Sequence, residues 1–253
     1  MSLPWEWTEE VQVWCARIDA DTDAVERANR QLSRNERDRA SRFRLPSPRV
    51  TFVLSRAVLR TLLAHFCGCS PQEVEFAYGK QGKPYLASPI PAIRFNVSHS
   101  GNIAAFAFAA NDELGVDVEQ HRPMTDMEQI AHRFFSPGEC QDLLRIPEGE
   151  RVAAFFDGWV RKEAFIKALG QGLSIPLDSF RVSLTPGQPA ALLTVDGEVE
   201  ASAAWSITEF SPEEGYSGAV ALRRQPCAVR VHNLRPALEL LANPMNDWAE
   251  NSR

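Results

Sequence analysis

Gly115-Val116-Asp117-Val118-Glu119 reads as a strand. Alternate side chains of a strand point to opposite faces, so Val116 and Val118 share one side while Asp117 and Glu119 share the other. Two carboxylates aimed into one space repel unless a proton or a cation lies between them. Hard oxygen ligands of this kind suit Mg²⁺, which takes one or two carboxylates together with phosphate oxygens and water. A half-exposed strand with a solvated acidic face would carry the same pattern, and the pentapeptide alone favours that plainer alternative.

A second stretch shifts the balance. Phe156-Asp157-Gly158-Trp159-Val160-Arg161-Lys162-Glu163-Ala164-Phe165-Ile166-Lys167 reads as helix. At about 100° per residue, Glu163 and Lys167 fall within roughly 80° of Trp159. Val160, Ile166 and Leu169 flank them, so the two charges are wedged among apolar neighbours. A Glu-to-Lys pair four residues apart on a clean polar stripe would be a surface ion pair. Here the apolar neighbours argue against that, and charges held in partly dry places are often functional.

Working outward, Ile93–Val97 and Ile103–Ala109 flank His99-Ser100-Gly101-Asn102 as a hairpin, and Leu114–Glu119 follows as a short strand. Ser33 to Glu36, Ser70 to Glu73 and Ser136 to Glu139 have the spacing of a capping box, so each predicts a helix start. Ser47-Pro48 offers another start for the apolar run Val50–Phe66, with Gly68 as its stop. In the second half a helix over Arg151–Leu169 precedes strands near Phe180–Leu184, Ala190–Val195, Ala204–Phe210 and Ser217–Leu222. Each half is thus a long helix followed by strands closed by a hairpin. The expected fold is α+β, two similar lobes related by a pseudo-twofold axis. The lobes are expected over residues 1–112 and 113–240, with a loose polar tail over 241–253.

Composition narrows the classes. The chain has 253 residues, 44% hydrophobic and 24% charged, which is ordinary for a globular protein and unlike disordered or disulfide-framework chains. A net charge of −6 leaves polyanion binding to a local basic patch, so no nucleic-acid partner is expected. The five cysteines are odd in number, and Cys67-x-Cys69 lacks zinc-knuckle spacing, so reduced thiols are expected. No uncharged apolar stretch reaches about 18 residues, and the N-terminus lacks a basic region leading into an apolar run. A cytoplasmic monomer with no membrane partner is the expectation.

Asn96-Val97-Ser98-His99-Ser100 lies at a strand end. Adjacent Ser and His point to opposite faces, so a hydrolase dyad is geometrically poor, and turn hydrogen bonding by the serines is an equal alternative. Gly82-Lys83-Pro84-Tyr85 is either a simple turn or a lysine held on a rigid corner to meet an anion. Arg37, Arg39, Arg42, Arg44 and Arg49 crowd one short region. A solvated helix face accounts for most of them, and a phosphate-rich ligand would account for one or two.

Together these residues resemble the 4′-phosphopantetheinyl transferases, specifically the larger Sfp-type branch. The resemblance rests on the Gly115–Glu119 strand, the Trp159–Lys167 helix, Gly82–Pro84 and Asn96–Ser100, and runs from about Ser33 to Leu222. It implies transfer of the phosphopantetheine arm of coenzyme A to a serine of an acyl, peptidyl or aryl carrier protein, releasing 3′,5′-ADP. It further implies Mg²⁺ (or Mn²⁺) held by Asp117, Glu119 and Glu163. Glu163 would act as base for the carrier serine, and Lys167 would sit on the pyrophosphate. Lys83, Pro84, His99 and the arginines, Arg39 and Arg49 among them, would grip the nucleotide, with Ser98 hydrogen-bonding nearby. Lys162 is a phosphate neighbour or a surface residue. The carrier is expected to dock near Ala168–Pro176, a glycine-containing lip. Two rivals are a non-catalytic coenzyme A or carrier-protein binding module, and a metal-dependent pyrophosphohydrolase.

Overall fold

The computed structural model describes residues 10–19, 22–79, 81–87, 93–170, 175–224 and 227–243. The first lobe contains β1 (Glu10–Arg17), α1 (Thr22–Gln31), α2 (Arg34–Ser41), α3 (Pro46–Cys67), the small hairpin β2 (Phe76–Tyr78) and β3 (Pro84–Leu86), and the long hairpin β4 (Ile93–Ser100) and β5 (Ile103–Ala110). The second contains β6 (Leu114–Gln120), α4 (Met127–Phe134), α5 (Pro137–Arg145), α6 (Glu148–Leu169), β7 (Phe180–Val182), β8 (Leu192–Val195), β9 (Ser206–Phe210) and β10 (Tyr216–Leu222). The chain then adds β11 (Ala228–Val231), β12 (Arg235–Pro236) and α7 (Ala237–Ala242).

One topology occurs twice. In each half a strand leads into a long helix and then a hairpin, and the leading strand pairs antiparallel with the hairpin's second strand. That gives β1 beside β5 beside β4 in one sheet, and β6 beside β10 beside β9 in the other. The repeat agrees with two similar lobes, although the leading strand β1 was not foreseen.

The side-chain alternation stacks the layers. On β1, Trp14 and Ala16 join Phe106 and Phe108 of β5 against α3. The opposite faces, Val11, Val13 and Cys15 with Ala105, Ala107 and Ala109, pack on Val116, Val118 and Val220 of the second sheet. Ala219 and Ala221, on the far side of β10, meet Ala164 and Phe165 of α6. The order is therefore helix, sheet, sheet, helix. Small alanines line the β5 face between the sheets, while its phenylalanines fill the wider space under α3. Because Val116 and Val118 face the sheet interface, Asp117 and Glu119 must face α6.

Two capping boxes form as the spacing predicts, Ser33 with Glu36 on α2 and Ser136 with Glu139 on α5. Glu73 also accepts from the Ser70 amide and hydroxyl, at 2.7 and 2.8 Å, but residues 71–73 close only a turn. α3 begins earlier than predicted, with Leu45 as an extended N-cap and Ser47-Pro48 inside the first turn. It is long and apolar enough by composition to cross a membrane, yet Leu54, Ala57, Val58, Leu62 and Leu63 on it are fully buried in the core.

The domain boundary at residue 240 needs correction. β11 and β12 pair parallel with β1, and α7 buries Ala237 and Leu240 in the core beneath α3. The segment after β10 thus completes the first lobe and not the second. Physically, β1 would otherwise be an apolar edge strand, and edges of that kind are covered. Of the expected tail, residues 244–253 lie outside the described residues.

Candidate active site at the lobe seam

Gly115 explains why the site forms where it does. A Cβ added there would lie 2.1 Å from the Ala164 carbonyl oxygen and 2.4 Å from the Ala168 amide nitrogen. Only a residue without a side chain lets the backbone of α6 settle on the start of β6. That contact sets Glu163 and Lys167 over the face of β6 carrying Asp117 and Glu119.

From the other side, β4 brings a polar face. Ile93, Phe95 and Val97 turn toward α3, so Asn96, Ser98 and Ser100 turn toward β6. Asn96 Oδ1 accepts from the Val116 amide at 2.9 Å, and Ser100 Oγ accepts from the Gln120 amide at 3.1 Å. These two side chains cap donors on the free edge of β6. Ser98 Oγ donates to Asp117 Oδ1 at 2.6 Å, and Ser100 Oγ donates to Glu119 Oε2 at 2.6 Å. Asn96, Ser98 and Ser100, at a spacing of two, therefore grip the acidic strand. The serines are neither turn formers nor nucleophiles here. Asn96 and Ser100 were not foreseen as site residues, although their spacing of two with Ser98 is visible in the sequence.

Lys167 completes the cluster, with Nζ 2.6 Å from Asp117 Oδ1 and 2.9 Å from Ser98 Oγ. Asp117 is 3% exposed, and its Oδ2 is buried without a hydrogen-bond partner. Burial raises the Glu163 carboxyl above the usual range; the charges of Asp117 and Glu119 push the same way and Lys167 opposes them. Glu119 is also raised by burial, opposed by its Ser100 hydrogen bond and supported by Asp117. His99, exposed at the strand end, is held below the ordinary imidazole range by desolvation and then by the Lys167 charge.

The three acidic groups thus share one electrostatic field, but they do not converge as a formed metal centre. Among the described residues, no three His, Cys, Asp or Glu side chains come close enough to hold an ion. Lys167, expected on a pyrophosphate, stands on Asp117. The donor set nonetheless suits a hard divalent cation. All three are carboxylates, two resist ionising beside the third, and Asp117 presents a buried oxygen with nothing bound to it.

The remaining candidates are scattered. Arg39 is exposed, with its guanidinium 5.0 Å from the Phe52 ring, and it borders a cavity of about 590 Å³ together with Ser33, Phe76 and Tyr78. Arg49 is exposed on α3. Lys83 and Pro84 line a smaller cleft with Tyr85, Arg94 and Gly170. Lys162 is neither a phosphate neighbour nor a surface residue. It is 1% exposed and donates to Glu139 Oε1 at 2.7 Å and to the Phe180 carbonyl at 2.8 Å. Within the expected carrier lip, residues 171–174 lie outside the described residues. All five cysteines are free; burial pushes the Cys15 thiol up to about 12.

Residues 113–221 match the 4′-phosphopantetheinyl transferase superfamily, and residues 19–111 match the family described as 4′-phosphopantetheinyl transferase, N-terminal. The chain is 35% identical over 217 residues to the 4′-phosphopantetheinyl transferase HetI of a Nostoc species, covering 85% of this chain and 88% of that one. It is 34% identical over 153 residues to the 4′-phosphopantetheinyl transferase Sfp of Bacillus subtilis, covering 60% of this chain and 66% of that one. Among solved structures it is similar to a Chronobacterium ammoniagenes ACPS–CoA complex, with 23% identity, a TM-score of 0.34, and coverage of 45% of this chain and 98% of that one.

Proposed function

Because the chain belongs to the 4′-phosphopantetheinyl transferase superfamily, we propose that it moves the phosphopantetheine arm of coenzyme A onto a serine of an acyl, peptidyl or aryl carrier protein in the cytoplasm. In this reaction the serine oxygen bonds to the phosphorus that bears the arm, the bridging P–O bond of the pyrophosphate breaks, and 3′,5′-ADP leaves. The observation that carries the proposal is Lys167 held by Asp117 and Ser98 beside a carboxylate, Glu163, whose proton affinity is raised.

Each residue then has a task. Glu163 takes the proton of the serine hydroxyl, and its raised pKa makes it a better acceptor than an ordinary carboxylate. Lys167 presents a cation to the phosphate oxygens, where charge builds as the P–O bond breaks. Arg39 and Arg49 face solvent and contribute positive charge toward the 3′-phosphate. His99, neutral at pH 7, offers a hydrogen bond, and Pro84 stiffens the neighbouring corner. Asp117, Glu119 and Glu163 are the residues that would hold Mg²⁺, which when bound neutralises the pyrophosphate and polarises it for attack.

Intact-mass spectrometry of an apo carrier protein incubated with the chain, coenzyme A and Mg²⁺ tests this. The expected result is a gain of one phosphopantetheine arm that disappears with EDTA. Coenzyme A bound with every carrier type unmodified would instead support a binding module. Cleavage of coenzyme A beside an unmodified carrier would support a hydrolase.

A further inference from the structure

We propose that Lys83 is a positioning residue for this transfer, acting on Lys167 through its backbone and not on the nucleotide. The inference rests on the function proposed above. Lys83 sits at the entrance to β3 in the first lobe, and its side chain reaches into the second. Its Nζ donates to the Lys167 carbonyl at 2.8 Å and to the Leu114 carbonyl at 3.0 Å, and lies 3.6 Å from Glu113 Oε2. An ammonium has three N–H donors, and here three oxygens face it. Two are backbone acceptors from which a ligand phosphate would have to detach it.

The two carbonyls are not arbitrary. Leu114 immediately precedes Gly115, the residue on which the α6 backbone rests, and Lys167 lies in the last turn of that helix. One ammonium therefore ties both sides of the contact that sets Lys167 over Asp117. The carbonyls of a last helical turn lack intrahelical partners. Gly170, left-handed at φ 68°, donates to Ile166 O at 3.1 Å and reaches Lys167 O only at 3.3 Å. Lys83 supplies the shorter bond, and a cation there also complements the negative end of the helix dipole. Half-burial pushes its pKa down, opposed by Glu113.

The test is steady-state transfer by Lys83→Met in the full chain. A misplaced Lys167 costs turnover, so kcat should fall about 10- to 100-fold while KM for coenzyme A stays within about twofold. Arg39→Ala, on the exposed basic face, should do the reverse. A rise in KM with kcat unchanged would make Lys83 a nucleotide contact and overturn the proposal. Hydrogen exchange provides a readout that needs no activity. Amides of residues 168–170 should exchange faster in Lys83→Met, while those of residues 154–160 should not change. Unchanged exchange at 168–170 overturns the positioning role of Lys83 even if the wild type transfers nothing, whereas an inactive wild type with the exchange effect present overturns only the function. Should Lys83→Met fail to fold, Glu113→Gln weakens the same ammonium and should shift exchange and kcat in the same direction by less. No shift in either would overturn the proposal.

Discussion

Lys167 Nζ lies 2.6 Å from Asp117 Oδ1, so the cation near the end of α6 is fastened to the buried carboxylate of β6, with Ser98 of β4 bridging the two. Three elements from both lobes thus meet at one ion pair. Asp117 is almost fully buried and Lys167 is about one-quarter exposed, so the pair is neither a free surface contact nor a dry core pair.

Lys167→Ala should therefore cost stability as well as rate. Removing one partner of a fully buried pair costs about 3–5 kcal/mol; partial exposure of Lys167 reduces the expectation to about 1–3 kcal/mol. Transfer should fall at least about 100-fold. The double variant Lys167→Ala/Asp117→Asn should regain much of the stability and none of the activity, by thermal melts and carrier-protein mass shifts. A fully stable single variant would mean that the pair is not holding Asp117.

Gly115→Ala should be the most damaging small change in the chain. The added methyl meets backbone atoms at 2.1 and 2.4 Å, and backbone cannot rotate away as a side chain can. Overpacking of this sort costs about 1–3 kcal/mol or more, a fall in Tm of roughly 2–12 °C at this size. Gly149→Ala, in the first turn of α6 with nothing within 4 Å, is the control and should be neutral or slightly stabilising. Equal melting of the two variants would contradict the close approach.

Glu163→Gln should separate stability from activity. The folded protein holds a proton on Glu163 more tightly than the unfolded chain does. That group thus favours folding below the ordinary carboxylate range, and the advantage is lost as pH rises through the raised value. Above the ordinary carboxylate range Glu163 is a burden, because burial opposes its ionisation, so the variant should melt higher than wild type at pH 7, with the difference shrinking toward about pH 4. Wild-type transfer should rise with pH through the raised value, and the variant should lack both transfer and that rise. A variant less stable at pH 7 would show that Glu163 is held by attraction.

Ser100→Ala removes the donor to Glu119 and the acceptor for the Gln120 amide. Loss of a group that orients a ligand typically weakens metal affinity about 10- to 100-fold, so the Mg²⁺ concentration giving half-maximal transfer should rise by that factor. Saturating Mg²⁺ should restore most of kcat. An unchanged Mg²⁺ titration would leave Ser100 a strut between strands and nothing more.

Lys162→Met tests a charge that belongs to the fold. Glu139 accepts from Lys162, from the Ser136 amide that opens α5 and from the Val182 amide of β7, so the substitution would leave it buried without its cation. A loss of about 3–5 kcal/mol is expected, while KM for coenzyme A of the surviving folded protein should not change. A raised KM with normal melting would return Lys162 to the phosphate site.

Much of the acidic strand β6 and of α6 was legible, because periods of two and 3.6 assign faces from spacing alone. What a helical wheel cannot show is the neighbour on each face. Lys162 and Lys167 look alike as charges among apolar residues, yet one meets Glu139 inside the second lobe and the other meets Asp117 at the seam. β1 escaped notice because Val11, Val13 and Cys15 are buried on one face and Trp14 and Ala16 on the other. A strand covered on both faces has no alternation to find. The carboxylates expected to hold a cation were legible as a set of donors but not as a geometry, since Lys167 stands at Asp117 in the folded chain.

β11 and α7 have a consequence for biosynthesis. Residues 228–242 cover β1 and the underside of α3, yet the ribosome makes them only after the whole second lobe. The first-made half of the chain must therefore wait, with the Val11–Val13 edge unpaired, until the second lobe has been made. Nascent-chain arrest before residue 227 should yield a species prone to intermolecular strand pairing, and release of the missing segment should cure it.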